Sequence, residues 1–121
     1  MNFGGWFPLD DAPAVAPESA GLLQARADAL VAYPKGKSAM VLYARSSAPE
    51  TLRQYVSGRG AAALGRAAGI GARWIRFGES QNAEGEFARV MRRFQERFGA
   101  RPAANAGVPD GDDEEARSID G

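Results

Sequence analysis

The chain has 121 residues, with 15 basic and 15 acidic side chains, no cysteine and no histidine. One compact domain is expected at this length. Without Cys there is no disulfide, iron–sulfur cluster or thiolate zinc, and without His the usual catalytic base and commonest metal ligand are gone. Chemistry is left to carboxylate, Arg, Lys, Tyr and hydroxyl groups.

The zero net charge is made of unlike parts. Residues 1–19 carry Asp10, Asp11 and Glu18 with no base, residues 20–101 hold 14 bases against 6 acids, and residues 102–121 hold six acids and Arg117. This division predicts an irregular N-terminal arm (1–19), a single domain (20–101) and a disordered acidic tail (102–121). The tail is small, polar and acidic, so it has little surface to bury. Residues 1–20 lack a basic start and a long apolar run, so a secretory leader is not expected. The longest apolar stretch, Ala39–Ala44, is too short to span a bilayer, which predicts a cytoplasmic protein with no membrane partner.

In chain order, Pro8, Pro13 and Pro17 predict extended or irregular structure over 8–17. Phe3, Trp6, Phe7 and Leu9 are too apolar for an idle leader, so they either clamp onto the body or form a partner-binding arm. Gly21–Ala32 has two readings. Leu23, Ala27, Leu30 and Val31 suit a helix capped by Ser19, whereas Gly21–Arg26 and Ala29–Tyr33 could be two strands; propensity favours the helix. Pro34-Lys35-Gly36-Lys37 predicts a hairpin turn, and Ser38–Arg45 a central strand. Pro49–Ser57 predicts a helix capped by Ser47 and ended by Gly58, followed by an Ala-rich helix at Ala61–Ala68. Ala72–Phe77 predicts another strand, flanked by Gly71 and Gly78.

The firmest element is a helix from about Ala83 to Phe98. Phe87, Val90, Met91, Phe94 and Phe98 recur on one face of a 3.6-residue period. Asn82 suits the N-cap, Glu84 and Glu86 the first turn, and Gly99 a left-handed C-cap. Burying the five apolar side chains would contribute roughly 8–15 kcal/mol gross. Together these elements predict an α/β (α+β) fold, a small, mainly antiparallel sheet of about three strands with flanking helices.

Some motifs fail on spacing. Gly36-Lys37-Ser38 ends like a phosphate-binding loop, but Val31 stands where the first glycine belongs and a strand follows. Gly58-Arg59-Gly60 and Gly69-Ile70-Gly71 do not complete a dinucleotide fingerprint, since Ala63 and Trp74 occupy the third glycine position. The arginines form a stronger signal. From Arg45 to Arg101 there are eleven Arg and no Lys, and the planar guanidinium suits phosphate oxygens. Arg73 and Arg76 on a strand, with Arg89, Arg92, Arg93 and Arg97 on the last helix, suggest a phosphate-tracking face.

Four segments then come in a familiar order. They are Ala16-Pro17-Glu18-Ser19-Ala20-Gly21-Leu22-Leu23, Met40-Val41-Leu42-Tyr43-Ala44-Arg45-Ser46, Thr51-Leu52-Arg53-Gln54-Tyr55 and Arg101-Pro102-Ala103-Ala104-Asn105. Over residues 16–105 the chain resembles the GIY-YIG nuclease domain: its two strand motifs, its Arg-bearing helix and its closing Pro…Asn segment. The resemblance implies Tyr43 and Arg53 as candidate catalytic residues, and Glu86 as the ligand of a divalent ion, Mg²⁺ or Mn²⁺, if the domain cuts. It also implies strand rather than helix at Gly21–Tyr33. There are departures: Leu23 replaces the first tyrosine, Leu42 stands at the second, Ala44 replaces the glycine, and Tyr43 is displaced by one residue. In a strand, that shift turns its hydroxyl to the opposite face.

The expected function is therefore a non-catalytic nucleic-acid-binding domain of GIY-YIG-like fold. Arg53, Arg73, Arg76, Arg89, Arg93 and Arg97 would contact the backbone of DNA or RNA, and the acidic tail would compete for the same face. One alternative is a protein-interaction module or homodimer anchored by Trp6, Phe7 or Trp74. Another is a metal-dependent endonuclease.

Overall fold

The computed structural model describes residues 2–106. Four antiparallel strands form one sheet, in the order β1 (Phe7–Pro8), β4 (Ala72–Glu79), β2 (Gly21–Tyr33), β3 (Gly36–Arg45). Helices α1 (Ala12–Val15), α2 (Leu52–Ser57), α3 (Ala61–Gly69) and α4 (Ala83–Phe98) complete the α+β architecture. The sheet thus has one strand more than sequence predicts. The extra one is a two-residue edge pairing, Phe7 with Ile75 and Pro8 with Trp74, too short to leave a periodic signal.

The two faces of the sheet are covered differently. Leu23, Ala25, Leu42, Ala44, Ile75 and Phe77 pack with Leu52, Tyr55, Val56, Ala63 and Ala67, so α2 and α3 lie on one side with Ala12 of α1. Leu22 packs with Ala83, Phe87 and Met91 of α4 on the other side. This double cover explains why the helix favoured by propensity at Gly21–Ala32 gives way to a strand. Leu22 and Leu23 are both fully buried, on opposite faces; successive side chains point apart in a strand, and a surface helix buries one stripe. Gly21 opens β2 against β4, where a Cβ would run into the Gly78 carbonyl. The hairpin turn falls where Pro34 and Lys35 predict it, with Tyr33 paired to Gly36.

Helix α4 has its expected bounds. Asn82 Oδ1 accepts from the Gly85 N–H at 3.3 Å, and Gly99 closes the helix at φ 80°. Of its five periodic apolar residues, Phe87, Met91 and Phe94 are buried, while Val90 and Phe98 are half-buried. Helix α2 begins later than expected. Its cap is Thr51, in a reciprocal box with Gln54, and not Ser47. Residues 9–15, expected to be extended or irregular, form a 3₁₀ turn running into α1.

The first part of the expected tail is packed. Pro102, Ala104 and Asn105 are buried, and a 3₁₀ turn, Ala103–Asn105, lies against the outer edge of β3. There the Asn105 side chain acts as a short neighbouring strand. Its Oδ1 accepts from Tyr43 N–H at 3.0 Å, and its Nδ2 donates to Tyr43 C=O at 2.9 Å. The Tyr33 hydroxyl donates to Met40 C=O at 2.7 Å and accepts from Ala103 N–H at 3.1 Å, while Arg66 Nε donates to Ala104 C=O at 3.1 Å. Residues 102–105 are thus packed against the body at the point where sequence predicts the start of the tail. The acidic stretch itself lies outside the described residues. Asn105→Ala should cost about 2–4 kcal/mol, because two shielded backbone groups lose their partner together. Urea unfolding with unchanged m would show it as a lower midpoint; an unchanged midpoint would mean that water serves equally well.

Candidate nucleic-acid interface

Helix α4 packs over β3 and β2 and leaves the β4 side of the same sheet face free of helix. A cleft of about 620 Å³ opens beside it, lined by Tyr43, Gln24 and Arg76 from the sheet and by residues of α4. The sheet register builds its floor. Gln24 of β2 pairs with Tyr43 of β3 on one side and with Arg76 of β4 on the other, so three polar side chains stand in one row across three strands. Arg76 Nε donates to Gln24 Oε1 at 2.5 Å, and the Gln24 side chain also hydrogen-bonds the Tyr43 hydroxyl. Gln24 is only 5% exposed, so these bonds satisfy an amide that would otherwise be costly to bury.

The α4 wall supplies Glu86, Arg89, Arg93 and Arg97. These recur at i, i+3, i+7 and i+11, the stripe next to the buried one. Arg89 Nη1 is 2.7 Å from Glu86 Oε1, and the Arg97 guanidinium lies 5.4 Å from the Phe98 ring centroid. The opposite wall is the N-terminal segment. Gly4 N–H donates to Phe77 C=O at 2.9 Å, which brings Phe3 over Arg76 (5.0 Å) and Trp6 over both Arg76 (4.5 Å) and Arg26 (4.4 Å). The segment therefore clamps onto the body, one of the two arrangements its apolar residues predict, and its aromatic faces meet guanidinium groups. Among the lining residues, four guanidinium groups face one carboxylate.

Six of the sequence-derived candidates thus come together: Tyr43, Arg76, Glu86, Arg89, Arg93 and Arg97. Two do not. Arg53 sits on α2, whose Leu52, Tyr55 and Val56 belong to the core on the other face of the sheet. It donates to the carbonyls of Ala16 (3.0 Å) and Ala14 (3.4 Å) and approaches Glu18 at 3.6 Å, so it holds α1 in place. Arg73 is exposed and does not line the cleft; it falls at the shift in the β2–β4 register and has no partner across it. Sequence reasoning missed Gln24 and Arg26. The signal was an amide inside the apolar run Leu22–Ala25, with a base two residues later, visible only once the segment is read as a strand.

Burial raises the Tyr43 hydroxyl above its usual pKa, with the Gln24 hydrogen bond and the Arg76 charge acting the other way. Burial lowers the Arg76 guanidinium, Tyr43 opposes that fall, and Arg26 adds to it. Glu86 is the single carboxylate lining the cleft and is already paired to Arg89. Among the described residues no three His, Cys, Asp or Glu side chains gather in one place. An Mg²⁺ or Mn²⁺ ion of the kind the nuclease resemblance implies would have Glu86 as its one carboxylate ligand from the cleft, in competition with Arg89. No helix among them is long and apolar enough to cross a membrane.

No protein-family model, curated protein or solved structure matches this chain. The geometry of the cleft is therefore the ground for its function.

Tyr33 is raised by burial as well. The unfolded chain releases both tyrosine protons near about pH 10, and the folded chain only above that. The unfolded state then binds fewer protons, so stability falls as pH rises through this range. Tyr43→Phe should flatten the fall, at a cost of about 0.5–1.5 kcal/mol near neutrality for the lost bond to Gln24. Thermal unfolding followed from neutral to alkaline pH checks both effects.

Proposed function

We propose that this chain is a non-catalytic nucleic-acid-binding domain of GIY-YIG-like fold, which holds a phosphate backbone in the cleft between α4 and the N-terminal segment. The observation that carries this assignment is the convergence of Arg76, Arg89, Arg93 and Arg97 on one concave surface with a single opposing carboxylate. Arg76 strengthens it, since a half-buried guanidinium whose neighbour Arg26 is also cationic gains from an incoming anion. Three arginines on successive turns of one rigid helix can meet successive phosphates without reordering the backbone. The kinship is supported by the β2–β3 hairpin, the Arg-bearing helix after it and Asn105 closing against β3.

The endonuclease reading has one observation in its favour, that Tyr43 and Glu86 share the cleft. Against it, the arginine needed to steady phosphate is on the far side of the sheet. The interaction-module alternative has less: Trp6 is engaged by Arg26 and Arg76, and Trp74 Nε1 donates to Asp28 at 2.6 Å.

Binding of a labelled oligonucleotide, followed against salt, tests the proposal. Arg93→Ala and Arg97→Ala should each reduce the slope of log K against log salt by about 1, and Arg89→Ala by less because Glu86 already neutralises it. Arg73→Ala should leave the slope unchanged. Binding without salt dependence would sink the proposal. Nicking with Mg²⁺ or Mn²⁺ that is abolished by both Glu86→Ala and Arg53→Ala would install the nuclease in its place.

A further inference from the structure

Resting on that assignment, we infer that the cleft takes single-stranded rather than duplex nucleic acid, with bases stacked on rings that alternate with the arginines. The cleft is as aromatic as it is basic. Phe3, Tyr43, Phe94 and Phe98 line it together with Arg76, Arg89, Arg93 and Arg97. Phe94 is buried, but Phe3, Tyr43 and Phe98 keep part of their surface exposed. They come from three separate elements, the N-terminal segment, β3 and α4, so they are not one helical stripe left over from the core.

A duplex presents phosphates outward and keeps its base faces stacked on each other, so it could use the guanidinium groups and leave the rings idle. A single strand can turn its phosphates to Arg89, Arg93 and Arg97 and its bases to the rings across the cleft. Those arginines are spaced by one turn, about 6 Å of helix axis. Guanidinium groups tracking the backbone, with aromatic faces taking the bases, is how sequence-tolerant single-strand binding works. The shape agrees, since the surface is a recess between a helix and a strap and not a convex ridge that would enter a groove. Phe3 is the most informative residue. It belongs to the segment tied down by Gly4 and by the β1 pairing, packs at the margin of the Leu22–Phe87–Met91 cluster, and carries the Arg76 guanidinium 5.0 Å from its ring centroid.

The full chain is titrated with three labelled probes of equal length: oligo(dT), the same backbone made abasic, and a blunt duplex. Oligo(dT) should bind on the order of tenfold more tightly than the abasic strand and the duplex. Phe3→Ala should weaken oligo(dT) severalfold more than it weakens the abasic strand, narrowing the gap between the two; an equal loss for both would overturn the inference. Trp74→Phe leaves Trp6 as the sole tryptophan, and its emission should change with oligo(dT) and not with the abasic strand. Equal binding of all three probes overturns the inference and leaves the phosphate-binding assignment standing. Tighter binding of the duplex overturns it too. Failure of every probe to bind, even at low salt, removes the assignment itself.

Discussion

The first half of strand β2, residues 21–27, lies between β4 and β3 and is covered on both faces, and the rest of the molecule follows from that constraint. Its first residues leave no room for a side chain at Gly21, because β4 approaches too closely there, and none for water at Leu22 or Leu23. A strand covered on both sides must be apolar or must satisfy every polar atom it buries. Gln24 is where β2 takes the second course. Its amide is held between the Arg76 guanidinium and the Tyr43 hydroxyl, which sets both groups side by side on the floor of the cleft.

The cleft itself arises from an incomplete cover. Helix α4 is long enough to protect one side of the sheet over β2 and β3 but does not reach across β4, and the N-terminal segment covers part of what remains. It does so with rings over arginines, so the uncovered sheet is sealed by contacts that leave cationic groups accessible along α4. The outer edge of β3 is handled differently. There the Asn105 amide supplies the two backbone hydrogen bonds of a missing strand, which blocks pairing with another chain and fixes the backbone of Tyr43 from behind.

Much of this was legible residue by residue. The spacing of Phe87, Met91 and Phe94, the cap at Asn82 and the stop at Gly99 define α4 without any tertiary knowledge, and the same helix turns Arg89, Arg93 and Arg97 to one side. Arg76 could be grouped with them from its strand, but Arg73 could not be separated from it until the register showed Arg76 paired with Gln24 and Arg73 left at a shift. Arg53 looked like a phosphate ligand because a surface arginine on a helix carries no mark of which carbonyls it will meet. Ala14 and Ala16 reach it only after the chain folds back 37 residues or more.

Local chemistry alone therefore settled the last helix, the two later strands, the hairpin turn and the excess of guanidinium over carboxylate in the body of the chain, since each depends on neighbours within a few positions. Tertiary structure decided that residues 21–33 run as a strand, that Phe7 and Pro8 pair with β4, that Asn105 completes β3, and which arginines share a cleft. The physical reason is common to all four. Each depends on partners far away in sequence, whose closeness is stabilised by burial and hydrogen bonds that exist only once the sheet has formed.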